Sequence, residues 1–246
     1  MERPLTLITG GTRGIGAATA LRLASAGHDL VLGYVSDEAS AEATAARVRE
    51  VGAAIRTVRA DVTADTGIDA LFAAATGPLT GVVNNAGATL HVAELARTPV
   101  ETVRRGIELN LTAAILVARA AVRRMGRSYG GGGGVLVNIG SGAATLGSPG
   151  EYVHYAAAKA GVDALTLGLA QEAAADGVRV VGVAPGIIET RIHADAGDPE
   201  RVDRVGSRVP LGRAGTADEV AEAVAWLLSD AASYVTGTTV RVAGGR

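Results

Sequence analysis

Leu-Thr-Leu-Ile-Thr-Gly-Gly-Thr-Arg-Gly-Ile-Gly, residues 5–16, joins a short apolar run to a cluster of glycines. The run Leu5–Thr9 predicts a buried strand, and Ala17–Ala26 predicts a helix that ends at Gly27. Glycines between a strand and a helix let the backbone turn tightly and approach an anion, which the helix N-terminus attracts. The stretch therefore predicts a strand–turn–helix unit that holds a pyrophosphate, although its Gly-x-x-x-Gly-x-Gly spacing differs from the commonest dinucleotide pattern.

The same alternation of strand and helix continues along the whole chain. Each strand is a continuous apolar run, which is typical of a parallel sheet covered on both faces. We predict a doubly wound α/β Rossmann fold, with a parallel seven-stranded sheet, in a single nucleotide-binding domain spanning residues 1–246. The predicted strands are Leu5–Thr9, Asp29–Tyr34, Ile55–Ala60, Gly81–Asn84, Val135–Ile139, Val178–Val183 and Thr238–Val242. The predicted helices are Ala17–Ala26, Ala39–Val51, Asp65–Ala75, Thr98–Met125, Tyr152–Ala175 and Thr216–Ser229.

Two segments depart from this alternation. Gly130–Gly134 is a run of five glycines, for which a flexible surface loop is the expectation. Ile187–Gly215 is long for a connection in a compact domain, and loops of this length often act as lids. Within it His193 is a possible substrate contact, but the variability of loops favours a solvated histidine.

Lys159 is the only lysine in a chain that carries 22 arginines. It follows Tyr155 by four residues, and residues four apart are neighbours on a helix. A nearby ammonium lowers the pKa of a tyrosine, whose ordinary value near 10 is too high for proton transfer at neutral pH. A tyrosine tuned in this way can give a proton to a carbonyl oxygen or take one from an alcohol. The pair alone is also compatible with a surface Tyr–Lys contact.

Composition and charge exclude several classes of function. The chain has no cysteine, so it has no disulfide, thiolate metal site or cysteine nucleophile. A net charge of −2 offers no basic surface for nucleic acid. No apolar run reaches the roughly 18 residues of a membrane helix, and the N-terminus leaves no room for a signal peptide, so we expect a cytoplasmic protein. The four histidines show no ligand spacing, so we expect no metal.

The second predicted strand bears on the choice of cofactor. An acidic residue about 20 positions after the glycines would bind the ribose 2′-hydroxyl of NAD, but the count reaches Ser36. Asp37 and Glu38 come just after the strand end and are typical of the first turn of a helix. Arg13, in the glycine stretch, could face a 2′-phosphate. These positions favour NADP(H), with NAD(H) as the alternative.

Further motifs follow in order along the chain. Asp61-Val62 follows the third strand, Asn84-Asn85-Ala86-Gly87 the fourth, and Asn138-Ile139-Gly140-Ser141 the fifth, while Pro185-Gly186-Ile187-Ile188-Glu189-Thr190 follows the sixth. With the glycine stretch, Asn110 and the Tyr155/Lys159 pair, this series resembles the classical short-chain dehydrogenase/reductases over essentially all 246 residues. Val181 and Ala243 depart from the family pattern, since the family usually has Asn and Asp there.

The resemblance implies roles for individual residues. Tyr155 would be the acid/base, Lys159 would hold the nicotinamide ribose and lower the pKa of Tyr155, Ser141 would bond the substrate oxygen, and Asn110 would hold a water. Tyr152 is too far from Lys159 along the helix to replace Tyr155, and is instead a candidate for the substrate mouth. The implied cofactor contacts are Gly10, Thr12, Arg13, Gly14, Ile15, Gly16, Tyr34, Ser36, Asp61, Val62, Asn85, Ala86, Gly87, Tyr155, Lys159, Pro185, Gly186, Ile188 and Thr190.

The resulting expectation is an NADP(H)-dependent oxidoreductase that reduces a carbonyl, or oxidises a secondary alcohol, on a small molecule. Two alternatives stay open. One is an enzyme that uses bound nicotinamide for epimerisation or dehydration, and the other is a cofactor-sensing protein without turnover. Apolar residues on more than one stripe of the long helices, together with the resemblance, predict a homotetramer.

Overall fold

Seven parallel strands form one sheet in the order β3-β2-β1-β4-β5-β6-β7 in the computed structural model, which describes residues 3–246. The predicted seven-stranded parallel sheet is confirmed. The order reverses between β1 and β4, which makes their carboxyl ends the expected site for a ligand. The strands are β1 Leu5–Ile8, β2 Asp29–Tyr34, β3 Ile55–Arg59, β4 Leu79–Asn84, β5 Gly134–Ile139, β6 Val178–Pro185 and β7 Thr239–Val242.

Helices cover both faces of the sheet. They are α1 Gly14–Ser25, α2 Glu38–Glu50, α3 Asp65–Ala74, α4 Val100–Ile107, α5 Ala113–Met125, α6 Ala143–Leu146, α7 Val153–Ala173, α8 Arg201–Gly206 and α9 Ala217–Leu228. On one face α1 packs between α2 and α9, and on the other α5 packs between α3 and α7. The doubly wound arrangement is therefore confirmed.

Neighbouring residues of each central strand point into opposite layers. Leu7 and Val82 belong to the core beneath α3, α5 and α7, whereas Ile8 and Val83 belong to the core beneath α1, α2 and α9. All four side chains are fully buried. A strand buried on both faces has no polar side to display, and this explains why the strands are continuous apolar runs in the sequence.

The predicted single helix Thr98–Met125 is interrupted. A π-helical turn, Glu108–Thr112, separates α4 from α5. Inside this turn the side-chain Nδ2 of Asn110 donates to the carbonyl of Gly106 at 3.0 Å and to the carbonyl of Ala88 at 2.8 Å. The side-chain Oδ1 of Asn110 accepts from the backbone amide of Ala88 at 3.1 Å. These bonds tie the turn to the loop after β4. Single π turns inside helices are frequent at functional sites.

The glycine run at residues 130–134 forms a loop over residues 130–133, in which Gly130 and Gly132 are exposed, and its flexibility stays a prediction. Gly134 begins β5, and Gly131 lies directly on the end of α5. A Cβ atom at Gly131 would come within 2.2 Å of the Met125 carbonyl oxygen, whereas one at Gly132 would meet nothing within 4 Å. Backbone packs on backbone at Gly131, so a side chain is excluded there by contact.

The segment 187–215, which we call the lid, contains the short helix α8 and is closed at its base. The Gly215 amide donates to the Ile187 carbonyl at 2.9 Å, and the Glu189 amide donates to the Gly215 carbonyl at 2.9 Å. These two bonds fix both ends of the lid near the carboxyl end of β6. Its intervening residues lie over the same edge of the sheet as the glycine stretch.

None of the helices in residues 3–246 is both long enough and apolar enough to span a membrane.

Candidate active site

A cleft of about 840 Å³ runs along the carboxyl ends of the central strands. Its walls come from the turns after β1, β2, β3, β4, β5 and β6, together with the lid. The cleft therefore spans the point where the strand order reverses, as expected for a nucleotide site on a doubly wound sheet.

The turn after β1 is held in place by the turn after β4. The hydroxyl of Thr9 accepts from the backbone amides of Asn85 at 2.9 Å and Ala86 at 3.0 Å. In return, the Asn85 side chain donates to the carbonyls of Thr9 and Gly10, both at 2.9 Å. The Asn85 amide is thus already committed to the backbone, and its effect on a ligand comes through the shape of the glycine turn.

The N-terminus of α1 is open to an anion. Its N-cap residue, Arg13, makes no side-chain capping bond, and the first turn of the helix contains no acidic residue. The unpaired backbone amides there, and the positive end of the helix dipole, favour a bound phosphate. Gly16 does not line the cleft, because it lies behind the turn, where a Cβ atom would be 2.1 Å from the Gly10 carbonyl oxygen.

At the far end of the cleft Tyr34, Ser36, Asp61 and Val62, four of the predicted cofactor contacts, line the wall. Asp37 also lines it. Asp37 is the N-cap of α2, and its carboxylate accepts from the Ser40 amide at 3.0 Å and the Ser40 hydroxyl at 2.8 Å.

These two hydrogen bonds from Ser40 lower the pKa of Asp37, and the bond from the backbone amide has the larger effect. The guanidinium of Arg13 lies 3.7 Å from Asp37 and 3.8 Å from Asp195 of the lid, and half of its side-chain surface is exposed.

Tyr155, Lys159 and Ser141 meet in the wall at the other end of the cleft. Tyr155 and Lys159 lie on α7 and are 7% and 4% exposed, and the Lys159 Nζ atom is 5.8 Å from the centre of the Tyr155 ring. Lys159 donates to the Ile139 carbonyl at 2.8 Å. Ser141 Oγ accepts from the Ala143 amide at 3.1 Å, which leaves the serine proton free to donate.

Burial dominates the proton affinities of this pair. It raises the pKa of Tyr155 to about 12, against the lowering effect of a hydrogen bond with Ser141. It lowers the pKa of Lys159 to about 8, against the raising effect of the Asp163 carboxylate. Lys159 is not among the groups that shift the pKa of Tyr155 here, so the expectation that it lowers this pKa stays a prediction.

Asn110 does not reach the cleft wall, although it was predicted as a catalytic residue. It is 1% exposed and lies behind Gly87. A Cβ atom built on Gly87 would be 2.8 Å from Asn110 Oδ1 and 3.3 Å from Lys159 Nζ. Gly87 therefore lies against both polar groups, and any larger residue would push them apart.

Comparison with known proteins agrees with this geometry. A family model described as enoyl-(acyl carrier protein) reductase matches residues 10–246. An uncharacterized oxidoreductase of Escherichia coli, YgfF, is 44% identical over 245 residues, covering 98% of this chain and 99% of that protein. The chain belongs to the classical short-chain dehydrogenases/reductases.

Other relatives of this short-chain dehydrogenase/reductase carry different printed activities. The 3beta-hydroxysteroid dehydrogenase 1 of Eggerthella lenta is 41% identical over 249 residues, covering 97% of this chain and 92% of that protein. The crystal structure of levodione reductase superposes with a TM-score of 0.90 at 35% identity, covering 98% and 96% of the two chains. The family uses a nicotinamide cofactor, NAD(P)(H), and its members here are oxidoreductases.

The remaining predicted contacts of this short-chain dehydrogenase/reductase do line the cleft. They are Gly10, Thr12, Arg13, Gly14, Ile15, Asn85, Ala86, Gly87, Pro185, Gly186, Ile188 and Thr190. Tyr152 also lines it. No group of three or more potential metal ligands comes together within the described part of the chain, residues 3–246.

Three features near Tyr155 in the cleft were not predicted from the sequence. His193 is only 7% exposed and lines the cleft, so the expectation of a solvated histidine is wrong. Arg201 of α8 is 1% exposed and forms an ion pair with Glu151, 50 residues earlier in the chain. Leu90, also in the wall, has a φ angle of +64°, a strained conformation for a branched side chain. A partner 50 residues away leaves no local pattern, so no motif could have identified Arg201.

Proposed function

We propose that the chain is an NADP(H)-dependent carbonyl reductase or secondary-alcohol dehydrogenase, acting as one nucleotide-binding domain over residues 1–246. The observation that carries the proposal is the burial of Tyr155 and Lys159 beside Ser141 in a cleft that also contains an open helix N-terminus. An acid/base group, a cation and a hydrogen-bond donor at one end of a nucleotide cleft suit transfer of a hydride and a proton.

The residues of the cleft fit a dinucleotide. The uncapped amides of α1 would hold the pyrophosphate, Asp61 and Val62 the adenine, and Asn85–Gly87 the ribose beside the nicotinamide. Ile188 and Thr190 would face the carboxamide, and Lys159 would reach the nicotinamide ribose. When bound, nicotinamide supplies a hydride in the reducing direction and accepts one in the oxidising direction.

The chain's own groups handle the proton. In the reducing direction Tyr155 donates its proton to the substrate oxygen as the carbonyl carbon becomes an alcohol carbon. Ser141 donates a hydrogen bond to the same oxygen, where negative charge develops. A pKa of about 12 keeps Tyr155 protonated and ready as an acid, and the neighbouring Lys159 charge then favours the phenolate that is left. Asn110, held in the π turn, is proposed to link Lys159 to solvent through a water.

The preference for NADP(H) is supported by the state of the two groups at the ribose end. Arg13 is half exposed, and among residues 3–246 it forms ion pairs with the carboxylates of Asp37 and Asp195, at 3.7 and 3.8 Å. Ion pairs at these distances on an exposed side chain are weak, so a doubly charged phosphate would displace them. Asp37 is already bonded to Ser40, which reduces its availability as a ribose ligand.

The test is a screen of NADPH oxidation over keto esters, quinones, sugars and steroids, followed by substitution of the acid. Tyr155→Phe should lower kcat by roughly a hundredfold or more, the scale of an acid/base contribution. Tyr129→Phe is the matched control, because Tyr129 is exposed and does not line the cleft, and it should retain full activity. A Tyr155→Phe variant with unchanged turnover would rule out the assigned role.

Homotetramer formation is proposed from the outer faces of two long helices. Ile115 on α5 is 41% exposed and Leu167 on α7 is 53% exposed, although both helices are otherwise firmly packed. Exposed aliphatic side chains on adjacent long helices suit association with further copies. Sedimentation should give a tetramer, and a stable monomer of 24.6 kDa at micromolar concentration would contradict it. A cytoplasmic location stays a prediction.

A further inference from the structure

The substrate end of the cleft contains a second polar group of residues, distinct from the predicted tetrad. We call Glu151, Tyr152, His193 and Arg201 the lid cluster. Arg201 donates to both carboxylate oxygens of Glu151, the second at 2.7 Å, and to the hydroxyl of Tyr152 at 2.8 Å. The cluster therefore connects the lid to the residues just before Tyr155. Tyr152, His193 and Arg201 line the cleft.

The lid cluster is polar but carries no net charge. The bidentate ion pair between Glu151 and Arg201 balances the positive charge of the guanidinium. Burial, followed by the Arg201 charge, lowers the pKa of His193 to about 4, so the imidazole is neutral at ordinary pH. A wall of this kind offers hydrogen bonds without attracting an ion.

Tyr152 has a proton to offer a ligand. Its oxygen accepts from a permanent cation, which polarises the O–H bond and makes it a better donor. Its ring meets that of Tyr155 edge to face, with centres 5.5 Å apart, so the two hydroxyl-bearing rings belong to one small pocket. Ser148, its other polar neighbour, also lines the cleft.

His193 has hydrogen-bonding capacity that the chain does not use. Its Nδ1 atom is buried and has no partner among residues 3–246. A buried polar atom without a partner is costly, so native structures rarely keep one without a reason. Because His193 lines the cleft and is neutral, it can donate from one ring nitrogen or accept at the other.

We propose that the lid cluster recognises a second, uncharged oxygen on the substrate. The preferred substrates are then ketones that also carry a carbonyl or hydroxyl group, rather than simple ketones or keto acids. Ser141 and Tyr155 would bind the reacting oxygen, and Tyr152 and His193 the second one. A carboxylate bound at the lid cluster would need a cation without a partner, and the buried Arg201 is already paired with Glu151. This inference rests on the proposed carbonyl chemistry.

Binding measurements test the inference without depending on turnover. With the full chain saturated with NADP⁺, calorimetry would compare cyclohexanone, cyclohexane-1,4-dione and 4-oxocyclohexanecarboxylate. The dione should bind about tenfold more tightly than cyclohexanone, the scale of one well-made buried hydrogen bond, and the keto acid no more tightly than cyclohexanone. Equal affinity for the two neutral ketones would overturn the inference. So would preference for the acid, which would point to the exposed Arg105 in the wall instead.

Substitutions then assign the effect to named groups. Tyr152→Phe and His193→Leu should each reduce the dione preference to within about twofold, while His193→Gln, which keeps a donor and an acceptor, should preserve most of it. Tyr129→Phe again serves as the control. If neither Tyr152→Phe nor His193→Leu changes the preference, the lid cluster does not bind substrate.

Failure of this inference is separable from failure of the proposed function. If the wild-type protein binds the dione preferentially but turns over no ketone, the inference is supported and the proposed activity is contradicted. If the wild-type protein reduces all three ketones with equal kcat/KM and binds them with equal Kd, the proposed activity is supported and the inference is contradicted. Tyr155→Phe should lose turnover while it retains the dione preference, because the second oxygen is bound by other groups.

Discussion

Replacing Lys159 with methionine should make the free energy of unfolding less dependent on pH. The ammonium is 4% exposed, and burial lowers its pKa from 10.5 to about 8. At about 1.36 kcal/mol for each step of pKa, this drop corresponds to about 3 kcal/mol of unfavourable burial when the lysine is charged. Methionine fills similar space without a charge, so the variant avoids that cost.

The direction in which stability changes with pH follows from proton binding by Lys159. Between pH 8 and pH 10.5 the unfolded chain keeps the Lys159 proton while the folded chain has lost it, so the wild-type free energy of unfolding rises with pH across that window. The variant lacks this rise. Relative to Lys159→Met, the wild type should therefore gain about 3 kcal/mol between pH 7 and pH 10.5. Loss of the hydrogen bond to Ile139 affects the variant at every pH and leaves this change untouched.

Urea unfolding of both proteins at constant ionic strength, at pH 7, 8, 9 and 10, measures the change directly. The raised pKa of Tyr155 is present in both proteins and cancels. Arg49→Met is the control, because Arg49 is exposed and pairs with the exposed Glu42, so the stability difference of this variant from wild type should not vary with pH. A constant difference between wild type and Lys159→Met would refute the reasoning that burial depresses the lysine pKa.

Three further predictions concern other parts of the molecule. Gly131→Ala should lower the free energy of unfolding by at least about 2 kcal/mol, because its Cβ would meet the Met125 carbonyl at 2.2 Å, while Gly132→Ala stays within about 0.5 kcal/mol in urea melts. NADPH should bind at least tenfold more tightly than NADH, and Arg13→Ala should remove most of that gap in calorimetry; tighter NADH binding would contradict it. Amine-reactive reagents should label Lys159 alone besides the N-terminus, and NADPH should shield it in peptide mapping; equal labelling would contradict the ribose contact.

The architecture was predictable because its causes are local. Each buried strand is a short apolar run, and the glycine stretch follows β1 directly, so chain order alone locates the phosphate-binding turn. The spacing between Tyr155 and Lys159 likewise places both on one face of α7. The structure brings most of the predicted contacts to one cleft because most of them follow the carboxyl ends of strands, while Tyr155 and Lys159 reach it from α7.

The errors arise where distant parts of the chain meet. The break at Asn110 depends on bonds to Ala88, 22 residues away, which helix propensity does not register. His193 is buried in a lid whose Arg201 is neutralised by Glu151, 50 residues away. The contact of Gly131 with the Met125 carbonyl, which excludes a side chain there, likewise leaves no signal in the run of glycines. The proton affinity of a tyrosine beside a lysine likewise depends on burial, which the four-residue spacing does not report.

Transfer of deuterium from cofactor to product tests the central claim most directly. NADPH carrying deuterium at both C4 positions of the nicotinamide would be incubated with the best substrate from the screen, and the product and cofactor analysed by mass spectrometry. Hydride transfer to a carbonyl predicts one deuterium in each alcohol molecule formed and one oxidised cofactor for each product, both lost in Tyr155→Phe. Product formed while the cofactor stays reduced would indicate an internal epimerisation or dehydration instead. Cofactor binding with no product from any carbonyl compound would contradict the account and would favour a cofactor-sensing protein without turnover.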